Sequence, residues 1–195
     1  HEFDYCVAVD GDGDRIVLSD NKGTIFSGDD ILYTLASRNK MIGKAQSDMV
    51  VGTAMSNQGV VEALGKLGIS FIRTDVGDKY ISRELVKNDL NLGAEPSGHV
   101  IQREFSESGD ANIALIQTLA ALQELDTSIA EIKNNIDYKP LSLKNFSVTD
   151  VEVIESEIFI ESIEKLKKKH PEARISVRKS GTEPKIRAMV EAETE

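Results

Sequence analysis

The apolar positions change period near residue 28. Ahead of that point Tyr5-Cys6-Val7-Ala8-Val9 is an unbroken β-prone run that predicts a buried strand. Ile16-Val17-Leu18 predicts a second strand, and Asn21-Lys22-Gly23 a hairpin-type turn. Beyond it Ile31, Leu32, Leu35 and Ala36 recur at helical spacing, with Asp29 or Asp30 placed to cap the helix. Met49-Val50-Val51 predicts a short buried strand, residues 52–57 a loop, and residues 59–67 a helix stopped by Gly68. A strand over 69–72, a loop over 74–78 and a helix over 79–87 follow. Strands that alternate with helices through short glycine-bearing loops predict a βαβ unit with a parallel or mixed sheet.

A tight strand pair is expected around residues 93–99. The clearest helix covers 110–123, where Ile113, Leu115, Ile116, Leu119, Ala120 and Leu122 form a broad apolar face behind an Asp110 cap. A shorter helix over 128–134 closes this part, and Tyr138-Lys139-Pro140-Leu141 reads as a linker. The remainder differs in character. It predicts a strand over 148–153, a charged helix over 156–169 with apolar Ile160, Ile163 and Leu166, and strands over 174–177 and 186–190. The fold class is therefore α/β: a mixed-sheet βαβ domain followed by a small α+β C-terminal domain. There is no internal repeat and no low-complexity tract.

Of 195 residues, 40% are hydrophobic and 29% charged, a globular balance. A net charge of −10 argues against nucleic acid or an acidic membrane as the main partner. The one cysteine, Cys6, sits in an apolar strand, so no disulfide framework is expected and a reducing, cytoplasmic setting fits. No apolar run approaches the roughly 18 residues of a membrane span. A core strand with almost no preamble and an end directly after another strand predict a piece of a longer protein. Oligomeric state is not legible.

Three turns carry chemistry. In Asp10-Gly11-Asp12-Gly13-Asp14-Arg15, three carboxylates alternate with glycines directly after a strand. Such acids repel one another, and a cation relieves that; oxygen-only ligands suit a hard divalent ion. An EF-hand loop would need glycine at its sixth position and glutamate at its twelfth, where Arg15 and Asn21 stand. A plain acidic turn would not need three spaced acids. The second turn, Gly93-Ala94-Glu95-Pro96-Ser97-Gly98-His99, offers a carboxylate, a hydroxyl and an imidazole. These suit a polyhydroxylated ligand such as a sugar, although an ordinary turn with a backbone-satisfied histidine remains an alternative. The third, residues 178–187, has four basic residues and one acid on an acidic chain. Arg178 and Arg187 can fork onto phosphate, and Ser180, Gly181 and Thr182 add hydroxyls and bare amides. A solvated hairpin is the plainer alternative. His170 reads as a helix-terminal charge.

Metal, sugar-like and phosphate turns in one chain point to phosphoryl chemistry on a sugar phosphate. In that order, DGDGDR, GAEPSGHV and RKSGTEPKIR resemble the metal, sugar and phosphate loops of the α-D-phosphohexomutases, and the chain is identified as a member of that superfamily. GTAMSNQG, the segment over 76–80 and GAEPSGHVI look most like the bacterial phosphoglucosamine mutases. The resemblance implies a four-domain enzyme that interconverts glucosamine 6-phosphate and glucosamine 1-phosphate through a phosphoserine and a bisphosphate intermediate. It implies Mg²⁺ on Asp10, Asp12 and Asp14, and Arg15 against the serine phosphate. It also implies Glu95 and Ser97 on sugar hydroxyls, His99 as a proton-transfer group, and Asp78 near the substrate amine. Arg178, Ser180, Gly181, Thr182 and Arg187 would anchor the non-reacting phosphate of a hexosamine phosphate.

The same resemblance divides the chain into the end of a second domain (1–27), a third domain of phosphohexomutase type (28–137) and most of a fourth (138–195). The family's nucleophile lies in a Ser-His-Asn type loop of the first domain, and no Ser-His occurs here. This chain alone is therefore expected to be inactive. A phosphoglucomutase or phosphomannomutase, and a non-catalytic sugar-phosphate binding module, are the alternatives. An aspartyl-nucleophile phosphatase fails because its Asp-x-Asp must be followed by an apolar residue.

Overall fold

The computed structural model describes residues 3–44, 47–181 and 183–193. They form two compact units, residues 1–137 and 138–195.

The first unit contains two sheets. In one, β1 (Tyr5–Val9), β2 (Ile16–Asp20) and β3 (Ile25–Phe26) run antiparallel in that order. The acidic turn joins β1 to β2. In the other, β4 (Met49–Thr53) lies between parallel neighbours β5 (Ser70–Thr74) and β6 (Leu92–Ala94), and β7 (Val100–Gln102) adds an antiparallel edge beside β6. The expected mixed sheet is present. Helices α1 (Gly28–Met41), α2 (Gln58–Lys66), α3 (Asp78–Lys87), α4 (Ala111–Glu124) and α5 (Ile129–Asn134) complete the unit. Val51, Ile81, Leu85, Leu90 and Ile101 form a core between α3 and the sheet. Gly93 lets α3 approach β6, since a Cβ there would stand 2.5 Å from Ile81.

Chain ends of the elements follow local chemistry. Asp110 caps α4 by accepting from the Asn112 and Ile113 amides at 2.9 and 3.0 Å, as its sequence predicts. At α1 the expectation needs correction. Ser27, not Asp29 or Asp30, is the cap, and Asp30 reaches back to accept from the Ser27 amide (2.6 Å) and hydroxyl (2.7 Å). Asp30 also pairs with Lys133 of α5 at 3.2 Å.

β1 is a strand as expected, but all five of its residues are exposed, Cys6 included. It is an edge strand bonded on the β2 side alone, and an apolar run specifies a strand without specifying what covers it.

In the second unit, β10 (Lys185–Glu191) runs between antiparallel β8 (Leu141–Ser147) and β9 (Arg174–Lys179). The strand expected over 148–153 is not there. β8 takes its place one segment earlier, and Asp150 accepts from the Glu152 amide at 2.9 Å to start a 3₁₀ turn, Val151–Glu155. α6 (Glu157–Lys169) follows its Ser156 cap, and His170 is its C-cap. No helix among the described residues is long and apolar enough to cross a membrane.

Candidate active site

The acidic turn folds back on itself. The Gly13 amide donates to the Asp10 carbonyl at 3.2 Å, and Gly13 takes φ +77°, which an L side chain rarely adopts. One carboxylate oxygen each from Asp10, Asp12 and Asp14 thereby comes within 4.8 Å of the others. Desolvation alone would push the Asp10 carboxyl up; hydrogen bonds from Arg15 and Asp14 and the Arg15 charge outweigh it and hold that carboxyl below its usual value. Asp14 is the most constrained of the three. Its Oδ2 meets His99 Nδ1 at 3.0 Å, while its Oδ1 is buried with no hydrogen-bond partner. A buried, unpartnered anionic oxygen beside two further carboxylates is a donor set that fits a hard divalent cation. Arg15 is exposed, with Nε 3.9 Å from Asp10.

The second turn lies between β6 and β7 and is held against this first one by backbone contacts. The Ile16 amide donates to the Gly98 carbonyl at 3.1 Å, and Arg15 and His99 share a β-bridge. A Cβ on Gly98 would lie 2.0 Å from the Ile16 carbonyl oxygen, and one on Gly28 would lie 1.9 Å from that of Glu95. Glu95 and His99 are buried and Ser97 is exposed. The Glu95 carboxylate accepts from the Gly77 amide at 2.9 Å, which ties the turn to the loop after β5. Asp78, next in sequence to Gly77, stands exposed in the first turn of α3. The acidic turn, Glu95, His99 and the Asp78 loop are thus assembled in one unit. The loops after β4, β5 and β6 all leave the carboxyl ends of those strands. The loop after β4 leads to β5 on one side and that after β6 to β7 on the other, the arrangement under which open α/β sheets form ligand crevices.

Sequence reading did not find three supports of this region. Asp29 accepts from the Asn57 amide at 2.8 Å and pins the loop after β4. Arg73 braces the same loop through the Thr53 carbonyl (3.2 Å), the Ser56 carbonyl (2.7 Å) and Gln58 (2.8 Å). Gly109 lies against the His99 ring. None belongs to a recognisable pattern, and read from sequence Asp29 has no role beyond that of a candidate helix cap.

The third turn closes the β9–β10 hairpin in the second unit. Its charge is less open than its composition implies. Lys179 is paired with Glu152 and Glu155 of the 3₁₀ turn, and Lys185 with Glu183 at 2.6 Å. Arg187 Nη2 also stands 3.7 Å from Glu183 Oε2. Arg178 and Arg187 are cross-strand neighbours, Arg187 Nη2 donates to the Ser180 hydroxyl at 3.3 Å, and Arg187 Nε is buried without a partner. Gly181 has open space around it. Thr182 lies outside the described residues.

The model of the phosphoglucomutase/phosphomannomutase alpha/beta/alpha domain III matches residues 27–138, and that of the C-terminal domain of the same proteins matches residues 118–195. The chain is 37% identical over 193 residues to phosphoglucosamine mutase of Oceanobacillus iheyensis, a match over 98% of this chain and 43% of that protein. With the enzyme of Hahella chejuensis it shares 41% over 194 residues, again 98% of this chain and 43% of the other. It therefore spans less than half the length of these relatives. Among solved structures, N-acetylglucosamine-phosphate mutase in its substrate complex has a TM-score of 0.81 at 23% identity, over 97% of this chain and 46% of that one. Aspergillus fumigatus N-acetylphosphoglucosamine mutase in complex with GlcNAc-6P and magnesium also gives 0.81, at 21% identity, over 97% of this chain and 49% of that one. The structural likeness fixes the fold; the family models, which together reach from residue 27 to residue 195, fix the kinship. The chain belongs to the phosphoglucomutase/phosphomannomutase family.

Proposed function

We propose that this chain is the C-terminal portion of a cytoplasmic phosphoglucosamine mutase, an isomerase that interconverts glucosamine 6-phosphate and glucosamine 1-phosphate. One observation carries the reading furthest: Asp14 spans the acidic turn and His99, leaving its second oxygen buried and unpartnered beside Asp10 and Asp12. Identity of 37–41% to phosphoglucosamine mutases supports the choice of sugar.

Asp10, Asp12 and Asp14 would hold Mg²⁺, whose chemistry is to neutralise charge on a transferring phosphoryl group. His99 faces a carboxylate through Nδ1, so that nitrogen carries the proton in the neutral ring and Nε2 is the acceptor available to a sugar hydroxyl. Glu95, its carboxylate oriented by the Gly77 amide, would accept from hydroxyls together with Ser97. Asp78 would meet the amine and Arg15 the serine phosphate. In the second unit Arg178, Ser180, Gly181, Thr182 and Arg187 would bind the phosphate that does not react, a remote contact that positions the substrate. We assign residues 1–27 to the end of a second domain, 28–137 to a third and 138–195 to a fourth. The phosphoserine belongs to the part of the relatives that this chain does not span, so the chain by itself should not turn over.

Joining the chain to a phosphorylated N-terminal half of a relative tests this. Mutase activity with glucosamine phosphates is the expected result. Far better use of glucose or mannose phosphates would make it a phosphoglucomutase or phosphomannomutase instead. Micromolar sugar-phosphate binding by the chain alone, with no activity on reconstitution, would make it a binding module.

A further inference from the structure

We propose that Gly109 is a positioning residue: it seats the His99 imidazole, and the segment 109–111 fixes that ring and the acidic turn to one another. Gly109 lies between β7 and α4, in none of the three chemical turns. Its backbone is not in the left-handed region, so conformation does not explain a glycine here. Space does. A Cβ at this position would stand 2.5 Å from both Cε1 and Nε2 of His99 and 2.8 Å from Nδ1. Three such similar distances put it over the ring rather than at an edge, which leaves the in-plane lone pair of Nε2 uncovered by this residue.

The ring cannot yield easily. His99 is only 4% exposed, Nδ1 is bonded to Asp14, and the His99 carbonyl accepts from the Glu95 amide at 2.9 Å. The two residues after Gly109 work in the same direction. Asp110 caps α4, and the Ala111 amide donates to the Gly13 carbonyl at 3.0 Å, inside the acidic turn. Three consecutive residues therefore hold a ring, a helix start and the acidic turn. A Cβ at 109 forces a shift, and a shift of the imidazole breaks its bond to Asp14. The proposal rests on His99 and Asp14 being part of the site, yet its test requires neither ligand.

The test is the imidazole ¹H–¹⁵N spectrum of this chain without ligand. The three histidines are His1, His99 and His170, so the His99 signals are those lost in His99→Ala. The unsubstituted chain should show a single Nδ1–H tautomer. In Gly109→Ala that pattern should be lost or mixed with Nε2–H, and the denaturation midpoint should fall. In a His99→Ala background, Gly109→Ala should leave the midpoint unchanged, because the ring it strikes is gone. If Gly109→Ala alone does not fold, His99→Ala must restore folding. An unchanged His99 spectrum, or equal destabilisation with and without the imidazole, overturns the proposal. Failure of reconstituted mutase activity with the spectral change present would instead count against the functional reading alone.

Discussion

Asp29 is buried at 3% exposure, with one oxygen bonded to the Asn57 amide and the other unpartnered. Desolvation raises its carboxyl from 3.8 to about 6; the Asn57 amide, Ser56 and Arg73 oppose the rise and Asp30 adds to it. The folded state thus holds a proton that the unfolded chain has already released between pH 4 and 6. The native state binds more protons there, so stability falls as pH rises through this window and levels off above it. The loss corresponds to about 3 kcal/mol. Asn at this position can still accept from the Asn57 amide and cannot ionise. Urea midpoints measured from pH 4 to 7.5 should therefore lose this component in Asp29→Asn, and the variant should be the more stable protein at pH 7. A second contrast separates two carboxylates of the acidic turn that differ in burial. Asp12 is exposed among like charges, so Asp12→Ala should leave the metal-free chain within about 0.5 kcal/mol of the original or slightly above it. Asp14→Ala strands the buried His99 Nδ1 and should cost about 1–3 kcal/mol. If Asp10, Asp12 and Asp14 hold Mg²⁺ as proposed, both substitutions should remove the Mg²⁺-dependent part of the midpoint. Asp10, Glu95 and Arg187 stand out in the sequence by type and spacing, and the roles proposed for them rest on that chemistry. Asp29 does not stand out, because its role comes from a loop 28 residues away that folding brings against it.

At the scale of elements, the periodic segments were legible and their surroundings were not. α2, α3 and α4 fall within a residue or so of where apolar spacing and caps place them. β8 escaped because its seven residues are all exposed, and Leu-Ser-Leu-Lys-Asn-Phe-Ser has no run that competes with Val148–Val153 by hydrophobicity. Pairing with β10 made it a strand; local preference did not. The turns show the same division. Their glycines were legible as permissive positions, but which of them are indispensable depends on neighbours from other elements. Gly98 combines φ +94° with a carbonyl where its Cβ would go, whereas Gly11 has nothing within 4 Å and no left-handed φ. Gly98→Ala should thus cost more than about 3 kcal/mol and shift the backbone signals of both β2 and the Glu95 turn. Gly11→Ala should stay within about 0.5 kcal/mol. Chemical denaturation of the two variants side by side checks this, and equal effects would mean that the two turns are not held together as described.

The chain as a whole has a lopsided core. Residues 1–137 supply nearly all its buried apolar side chains; among the described residues of the second unit only Ile186 and Met189 qualify. No residue of α6 is buried, and Ile158, Ile160 and Leu166 are all more than two-fifths exposed. The rest of the second unit adds half-buried Ile154, Phe159, Ile163, Ile175 and Val177 and polar pairs: Arg174 bonded to the buried Glu191 carboxylate, Lys139 to Glu193 at 2.9 Å, and surface pairs on α6 that contribute little in water. Burial of apolar area is the main stabilising term, so the two units should differ in stability by several kcal/mol. β4 and β10 are the strands to compare, since each is central and bonded to a strand on both sides, β4 in parallel ladders and β10 in the longer antiparallel ones, so ladder pairing by itself does not favour β4. Native-state hydrogen exchange should show β10 amides opening at a denaturant concentration well below that needed for β4. Simultaneous exchange of the two strands at the global midpoint would instead require contacts that stabilise 138–195 beyond its own core.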